Sequence, residues 1–315
     1  MEVRPGFARN HRSMQETLHS RSAAAWSGYL AASLSVVFWG ASFVATRVAL
    51  SSLTPFGLVA ARLTIGALVL FAVLRARSGR ILLERVDWLT GVGLAALLAF
   101  HLDLQAVGLQ YTTAINTGWI IGFIPVLIAL SAHLLGRQRL RPRGWLGLAV
   151  ASAGVALVMT AKLTDFAHAR IGDALQIASC FTWTLYTLAG TEAIRRNGAI
   201  RMTAWVMAVA AVLSWAPPLS AGLTHAPMTP NTWLSLLFLG CFCSGVALTL
   251  WYIGVTRCGP TSVGALLYFE PFVTSAVSLA LLHEPMTPWT VAGAVTVFAG
   301  VWLVGHGVSK PHAND

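Results

Sequence analysis

Charged residues are scarce in this chain of 315 residues, since Asp, Glu, Lys and Arg make up only 10% of it. An average soluble protein has about 25%. So few charges cannot cover a water-facing surface, and the composition therefore excludes a soluble globular enzyme. Acidic residues are scarcer still, 11 against 21 Lys and Arg. In a chain that is 56% hydrophobic, we interpret this basic excess as membrane topology rather than as a nucleic-acid surface.

Cysteine is also rare, and the four residues present argue against a secreted disulfide framework. They lie in or beside apolar stretches, where a free thiol packs as a small hydrophobic group. The sequence contains no H-E-x-x-H, G-x-S-x-G or P-loop motif. We therefore expect no catalytic residue, no metal and no cofactor. An intramembrane enzyme and a receptor without transport are the less favoured alternatives.

Long apolar runs are abundant. A bilayer core about 30 Å thick needs roughly 20 apolar residues in a helix, and ten segments meet this length. Their runs are continuous, whereas a β-barrel would show alternating hydrophobicity. We predict an all-α membrane protein with ten transmembrane helices, numbered here as spans 1 to 10: 28–50, 56–74, 88–109, 113–135, 144–161, 172–191, 202–222, 232–253, 261–282 and 287–305.

Basic residues predict the orientation of these spans. Seventeen of the 21 Lys and Arg residues fall in the tails and connections of one side, two fall on the other side, and two lie within spans. Because cytoplasmic loops carry the Lys and Arg excess, we predict a multi-pass protein of the cell (inner) membrane with both termini in the cytoplasm. Residues 1–27 and 306–315 are predicted tails. The first is basic and predicted to be disordered, and we expect no signal-peptide cleavage.

The chain contains an internal duplication. Residues 108–158 align without gaps to residues 254–304 at an offset of 146, which matches Pro125 to Pro271. Because proline removes a helix hydrogen bond, we predict both prolines to be hinges. The duplication defines two halves of five spans each, repeat 1 (28–161) and repeat 2 (172–305).

Five spans per repeat is an odd number, so repeat 2 must enter the membrane upside down relative to repeat 1. The arginines agree, since the connection 136–143 carries four of them and its counterpart 283–288 carries none. Inverted repeats are a transporter architecture, with a binding site near the midplane and one repeat rocking against the other.

Short motifs occur in order along nearly all of residues 28–305. F-W-G-A-S-F begins at Phe38 in span 1, Arg62 lies in span 2, and Glu270-Pro271 lies in span 9. H-E-P-M-T follows directly after that span. Together these motifs resemble the EamA-type drug/metabolite transporters. The resemblance implies ten helices in two inverted repeats and export of small metabolites such as amino acids. It also implies a central cavity lined by spans 1, 3, 4, 6, 8 and 9.

Repeat 1 departs from this pattern at two positions. Gln138 stands where repeat 2 has Glu284, and Ile124 stands where repeat 2 has Glu270. Any role of Glu270 is therefore not shared by the two halves.

Polar and aromatic residues at helical spacing mark the faces that we expect to line the cavity. Polar side chains that face lipid are costly, so such faces point inward, although small hydroxyl residues also hold helices together. The predicted cavity residues are Trp39, Ser42, His101, Gln105, Asn116, Trp119, Ser179, Trp183, Tyr186, Ser244, Tyr252, Tyr268 and Glu270.

Ionisable residues inside the spans are the strongest functional candidates. Glu270 lies roughly 13 Å into span 9, where a charge costs at least about 2.5–3.5 kcal/mol. We expect it either to bind a substrate ammonium group or to carry a proton, and a structural role at the Pro271 break is the alternative. His101 is the second candidate for proton coupling. Similar depths predict a buried ion pair between Arg62 and Asp103, while a substrate carboxylate is the alternative partner of Arg62.

An aromatic cavity with an acid, a histidine and an arginine suits a zwitterion with an apolar side chain. The sequence therefore predicts a secondary transporter that exports small amphipathic metabolites, first of all amino acids, aromatic ones included, by alternating access. A multidrug transporter for lipophilic cations is the alternative. The expected partners are a small-molecule substrate and the lipid bilayer, with no nucleic acid, and we expect a monomer.

Overall fold

The computed structural model describes residues 5–76, 83–136, 139–159 and 166–307. This part of the chain is helical and contains no strand. Its long helices are α1 (Pro5–Ala49), α2 (Pro55–Ala76), α3 (Trp88–Tyr111), α4 (Ala114–Leu134), α5 (Pro142–Met159), α6 (Phe166–Asn197), α7 (Ala199–Ser220), α8 (Pro230–Cys258), α9 (Ser262–Leu281) and α10 (Pro288–Gly307).

Nine of these helices are, among the described residues, long and apolar enough to cross a membrane, and α6 is the tenth. It is less apolar because its inward face is polar: Gln176 and Thr187 are fully buried, whereas Phe181 and Leu185 are exposed. Apolar side chains outside and polar ones inside are expected of a helix in a bundle surrounded by lipid. The predicted all-α membrane fold with ten helices is confirmed.

The first helix begins earlier than predicted. It starts at Pro5, and its apolar part, Ala25–Ala49, corresponds to span 1. The sequence predicts disorder for residues 1–27, whereas the structure has a helix from Pro5 onward. The segment is basic, but it contains four Ala and four Arg, which favour helices, and proline suits a first helical position. The other predicted tail lies, beyond Gly307, outside the described residues.

Each helix of one repeat pairs with a helix of the other: α1 with α8, α2 with α7, α3 with α6, α4 with α9 and α5 with α10. Equivalent pairs make equivalent contacts. A Cβ atom added to Gly254 of α8 would lie 3.0 Å from the carbonyl oxygen of Gly28 in α1. One added to Gly108 of α3 would lie 3.1 Å from that of Gly172 in α6. These two contacts therefore involve repeat-equivalent glycines.

The pair α5–α10 is joined by a seam of glycines, which includes Gly147, Gly154, Gly293 and Gly300. A Cβ atom on Gly147 would lie 2.5 Å from the carbonyl oxygen of Gly300, and one on Gly154 would lie 2.9 Å from that of Gly293. Small residues of this kind let helix backbones approach closely in membranes. Residue numbers rise along α5 as they fall along α10, so these two repeat-equivalent helices are antiparallel.

The predicted hinge prolines lie where two helices are interrupted. α4 breaks at Gly122 and Phe123, just before Pro125, and α9 tightens to a 3₁₀ helix over Ala265–Phe269, just before Pro271. Both prolines thus occupy a first helical turn, where their missing N–H has no partner to lose. The two breaks touch, since a Cβ on Gly122 would lie 3.0 Å from Cγ of Pro271. Motion at these breaks stays a prediction.

We expect Gly300→Ala to destabilise the bundle, because the new Cβ would overlap the backbone nitrogen of Ala151. Overpacking of this kind costs about 1–3 kcal/mol or more. Gly305→Ala on the same helix is the matched control, since nothing lies within 4 Å of its Cβ position. Thermal unfolding of the purified variants in detergent measures the difference. Equal melting temperatures would contradict the seam as a rigid contact.

Candidate functional site

A central cavity lies between the two repeats. Its walls come from α1 to α4 and from α6 to α9, and none of its lining residues lies on α5 or α10. The resemblance implied lining by six helices. The structure adds α2 through Arg62 and Leu63, and α7 through Met207.

Several predicted residues border the cavity, and the apolar part of its wall was not predicted. The predicted residues that line it are Trp39, Ser42, His101, Gln105, Trp183, Ser244 and Glu270. The lining residues not in the predicted cavity set are Phe43, Arg62, Leu63, Leu98, Leu102, Ile121, Ile124, Met207, Cys243, Leu248 and Leu267. Apolar lining residues cannot be recognised in a membrane sequence, because they match those that face lipid.

The other predicted residues pack around the cavity without bordering it. Trp119 donates its Nε1 hydrogen to Oγ of Ser275 at 3.2 Å, inside the α4–α9 contact. Ser179 donates to the carbonyl of Gln176 at 2.7 Å within its own helix. The remaining four are packed elsewhere between helices: Asn116, Tyr186, Tyr252 and Tyr268. A helical stripe identifies an inward face, but it does not give a residue's distance from the centre.

Two repeat-equivalent tryptophans form an aromatic wall. The rings of Trp39 and Trp183 meet edge to face, with centroids 4.9 Å apart and planes at 83°. Tyr186 stacks behind Trp183 at 5.4 Å, and Trp251 lies 5.3 Å from Trp39. Edge-to-face and stacked pairs of this kind are favourable aromatic geometries. The wall gives the cavity a rigid apolar surface beside its polar groups.

A π-helical segment in α8, Phe238–Val246, shapes the adjoining wall. The carbonyl of Cys243 accepts a hydrogen bond from Nε1 of Trp39 at 3.0 Å, and Ser244 borders the cavity beside Arg62. π-Helical turns are rare and are frequent at functional sites. Sequence reasoning missed this segment, since i→i+5 bonding has no recognisable pattern of residues.

The predicted ion pair between Arg62 and Asp103 is wrong. Nε of Arg62 donates to Oγ of Ser244 at 3.1 Å, and the described residues contain no salt bridge between Arg62 and Asp103. Asp103 is half-buried, and its Oδ1 has no hydrogen-bond partner. Counting residues along the helices placed Arg62 and Asp103 at a similar depth in the membrane. It did not determine the direction in which each side chain points around its helix. On α3, His101 and Gln105 face the cavity, and Asp103 lies about 200° from His101.

Glu270 faces the cavity at the start of the helical half of α9. It is 3% exposed and lines the cavity. Its carboxylate makes no hydrogen bond or ion pair with another described residue. The broken turn at Pro271 is therefore not satisfied by this side chain in the described residues. Arg62 and Glu270 border one cavity without forming a salt bridge to each other, which leaves both for a ligand.

One ring nitrogen of His101 contacts α6, and the other is available to accept a hydrogen bond. Nδ1 lies 3.0 Å from the carbonyl of Ser179 and 3.0 Å from Oγ1 of Thr182. A carbonyl oxygen only accepts, so we assign the proton to Nδ1, and Nε2 of the neutral ring is then an acceptor. The equivalent position in repeat 2 is Ala247. The cavity is thus chemically asymmetric although both halves of the chain match the same repeat pattern.

Glu284, in the H-E-P-M-T motif of repeat 2, lies away from the cavity and has a structural role. Its carboxylate accepts hydrogen bonds from the backbone nitrogens of Ala114 at 3.2 Å and Ile115 at 3.1 Å, and from Oγ of Ser278 at 2.8 Å. A carboxylate is favourable at a helix N-terminus, where backbone N–H groups lack partners. The motif therefore ties the start of α4 to the end of α9. The counterpart Gln138 lies outside the described residues.

Comparison with known proteins identifies the family. The model of the EamA-like transporter family matches the chain twice, over residues 26–160 and 170–305. The chain belongs to the EamA-like transporter family. It is accordingly a multi-pass membrane transporter and not an enzyme, with a small molecule as its substrate and the bilayer as its surroundings.

Its relatives are transporters by name. One from Archaeoglobus fulgidus, named an uncharacterized transporter, is 28% identical over 87% of this chain and 96% of the relative. The aromatic amino acid exporter YddG of Ancylobacter novellus is 26% identical over 81% of this chain and 88% of that protein. A protein chain in a solved crystal structure is also similar, with a TM-score of 0.69 and 23% sequence identity. The match covers 90% of the present chain and 99% of that chain. That likeness supports the fold alone.

We expect Glu284→Ala to lower stability, because it removes the acceptor of three hydrogen bonds at the α4–α9 junction. Donors left without a partner cost about 1–3 kcal/mol. Glu192→Ala is the control, since Glu192 pairs with Arg195 and Arg196 on an exposed surface, where such pairs contribute about 0–1 kcal/mol each. Melting curves in detergent measure both. A larger loss for the Glu192 variant would contradict the capping role.

Proposed function

We propose that this protein is a secondary exporter of small amphipathic metabolites, first of all amino acids, that works by alternating access between its repeats. The observation that carries this proposal is the charge arrangement of the cavity. Arg62 and Glu270 line it without pairing to each other, beside the wall of Trp39 and Trp183. A zwitterion with an apolar side chain offers a partner to each of these groups.

A relative supports the choice of amino acids. The 26% identical YddG is named an aromatic amino acid exporter. The aromatic wall of the present cavity suits side chains of that class, because aromatic rings favour edge-to-face and offset contacts with one another.

Alternating access is supported by the symmetry of the helix pairs. The antiparallel seam of α5 and α10 is what two repeats of opposite orientation would form. The adjacent breaks before Pro125 and Pro271 lie at the contact of α4 with α9, where small rotations would alter both repeats together. Inverted repeats that rock against each other around a midplane site are a recurrent transporter architecture.

The orientation in the membrane is inferred from the arginines of the connections. The guanidinium of Arg196 pairs with Asp87, that of Arg257 donates to Ser27, and the backbone of Arg141 bonds the end of α10. All three arginines belong to the side on which the sequence concentrates its basic residues. By the positive-inside rule, we infer that this side faces the cytoplasm of the cell (inner) membrane and that both termini are cytoplasmic.

Efflux of lipophilic cations is the second candidate, since an acid beside aromatic rings also suits a cation. Arg62 disfavours it, because a monocation would lie near a guanidinium without a described acidic partner.

Counterflow in proteoliposomes tests the proposed function. We expect exchange of labelled amino acids with apolar or aromatic side chains at rates well above those of protein-free liposomes. Tetraphenylphosphonium should not exchange, because it carries no group for Arg62. Exchange of tetraphenylphosphonium without exchange of any amino acid would establish the second candidate instead.

We expect Glu270→Gln to uncouple transport from the proton gradient. The variant should lose substrate accumulation driven by an imposed pH difference. Counterflow should persist at a lower rate, because exchange needs no net proton movement but the substrate ammonium group loses its charged partner. Asp103→Asn is the matched control, since Asp103 is an acid in a membrane helix that does not line the cavity. If Glu270→Gln left both the rate and its pH dependence unchanged, the acid would be structural.

A further inference from the structure

Arg62 is a permanent cation inside the membrane without an acidic partner. It is 6% exposed, and a guanidinium cannot be deprotonated in proteins. No carboxylate lies within salt-bridge distance of it in the described part of the chain. Arginine within a membrane segment is costly and is normally paired or placed at a water-filled cavity. An anion that visits the cavity would supply the missing partner.

The guanidinium is held in a way that leaves its terminal nitrogens available. Nε donates to Oγ of Ser244 at 3.1 Å, and no other hydrogen bond joins the Arg62 side chain to a described residue. Ser244 is presented by the π-helical segment Phe238–Val246. The two terminal nitrogens of a fixed guanidinium match the two oxygens of a carboxylate, which arginine binds with two parallel hydrogen bonds.

We propose that Arg62 is the carboxylate anchor of the cavity and that Ser244 is the residue that positions it. The identity of the ligand as an α-amino acid rests on the proposed function. Its carboxylate pairs with Arg62, its ammonium group faces Glu270, and its side chain lies against Trp39 and Trp183. The anchor makes the carboxylate a requirement for binding.

Selectivity against ligands without a carboxylate follows directly. An amide or an amine of the same shape leaves the guanidinium buried and unpaired, and sites built to pair a polar group reject analogues that lack it. A carboxylate without an ammonium group keeps the Arg62 contact and loses only the one to Glu270.

The wild-type protein in proteoliposomes provides the first test, by inhibition of L-phenylalanine counterflow with three analogues. We expect 3-phenylpropionate to inhibit, and L-phenylalaninamide and phenethylamine to need at least about tenfold higher concentrations than L-phenylalanine, a factor equal to about 1.4 kcal/mol. Transport of L-phenylalanine with equal inhibition by the amide and the acid would overturn the anchor and leave the exporter standing.

Variants of the anchor provide the second test. In Arg62→Gln, the preference for L-phenylalanine over its amide should disappear, and Arg62→Lys should keep part of it because the charge remains. Ser244→Ala should reduce the preference several-fold. Thr249→Val is the matched control, since Thr249 lies on the same helix and donates only to the carbonyl of Gly245 at 2.9 Å. An unchanged preference in Ser244→Ala would overturn the positioning role.

Ligand-induced thermal stabilisation in detergent separates the anchor from transport. L-Phenylalanine and 3-phenylpropionate should each stabilise the wild-type protein but not Arg62→Gln. If they do so while liposomes show no amino acid exchange, the exporter proposal fails and the anchor stands. If Arg62→Gln does not fold, the wild-type analogue series and Ser244→Ala decide. Stabilisation by phenethylamine equal to that by the two carboxylates would overturn the anchor.

Discussion

Close backbone contact between the two repeats is the constraint on which the structure depends. In lipid, helices gain little from burying apolar surface, so their association relies on packing and on small residues. The seam of Gly147, Gly154, Gly293 and Gly300 provides this contact between α5 and α10, and the other helix pairs also cross between repeats. Neither repeat covers its own inner faces, and the cavity exists because two incomplete halves meet around it.

Much of this architecture was accessible from the sequence, because hydrophobic length and residue spacing are direct physical requirements of a bilayer. The offset that matches Pro125 to Pro271 located both helix breaks. The start of α1 was not predicted, because the basic composition of residues 1–27 indicated a disordered tail in spite of the helix-forming residues in this segment. The pairing of Glu284 with the N-terminus of α4 was also missed, because it joins residues 170 positions apart.

The cavity was predicted less completely than the fold. Trp39, Trp183 and Glu270 were found because bulky or charged groups near the midplane of a span need a reason. The Arg62–Asp103 pair was wrong because depth along a helix carries no information about direction around it. The contact of Arg62 with Ser244 depends on a π-helical turn, and no pattern of residues predicts such a turn.

Each helix pairs with a helix of the other repeat, and this arrangement allows chemically different side chains to border the same cavity. Two separate copies of a half-length chain, facing each other head to tail, would bring every ionisable side chain in duplicate. Joining both halves in one polypeptide removes that restriction. Repeat 1 carries His101 where repeat 2 has Ala247, and repeat 2 carries Glu270 where repeat 1 has Ile124. A single acid and a single imidazole can therefore border one cavity, a polarity that an assembly of identical subunits is unable to create.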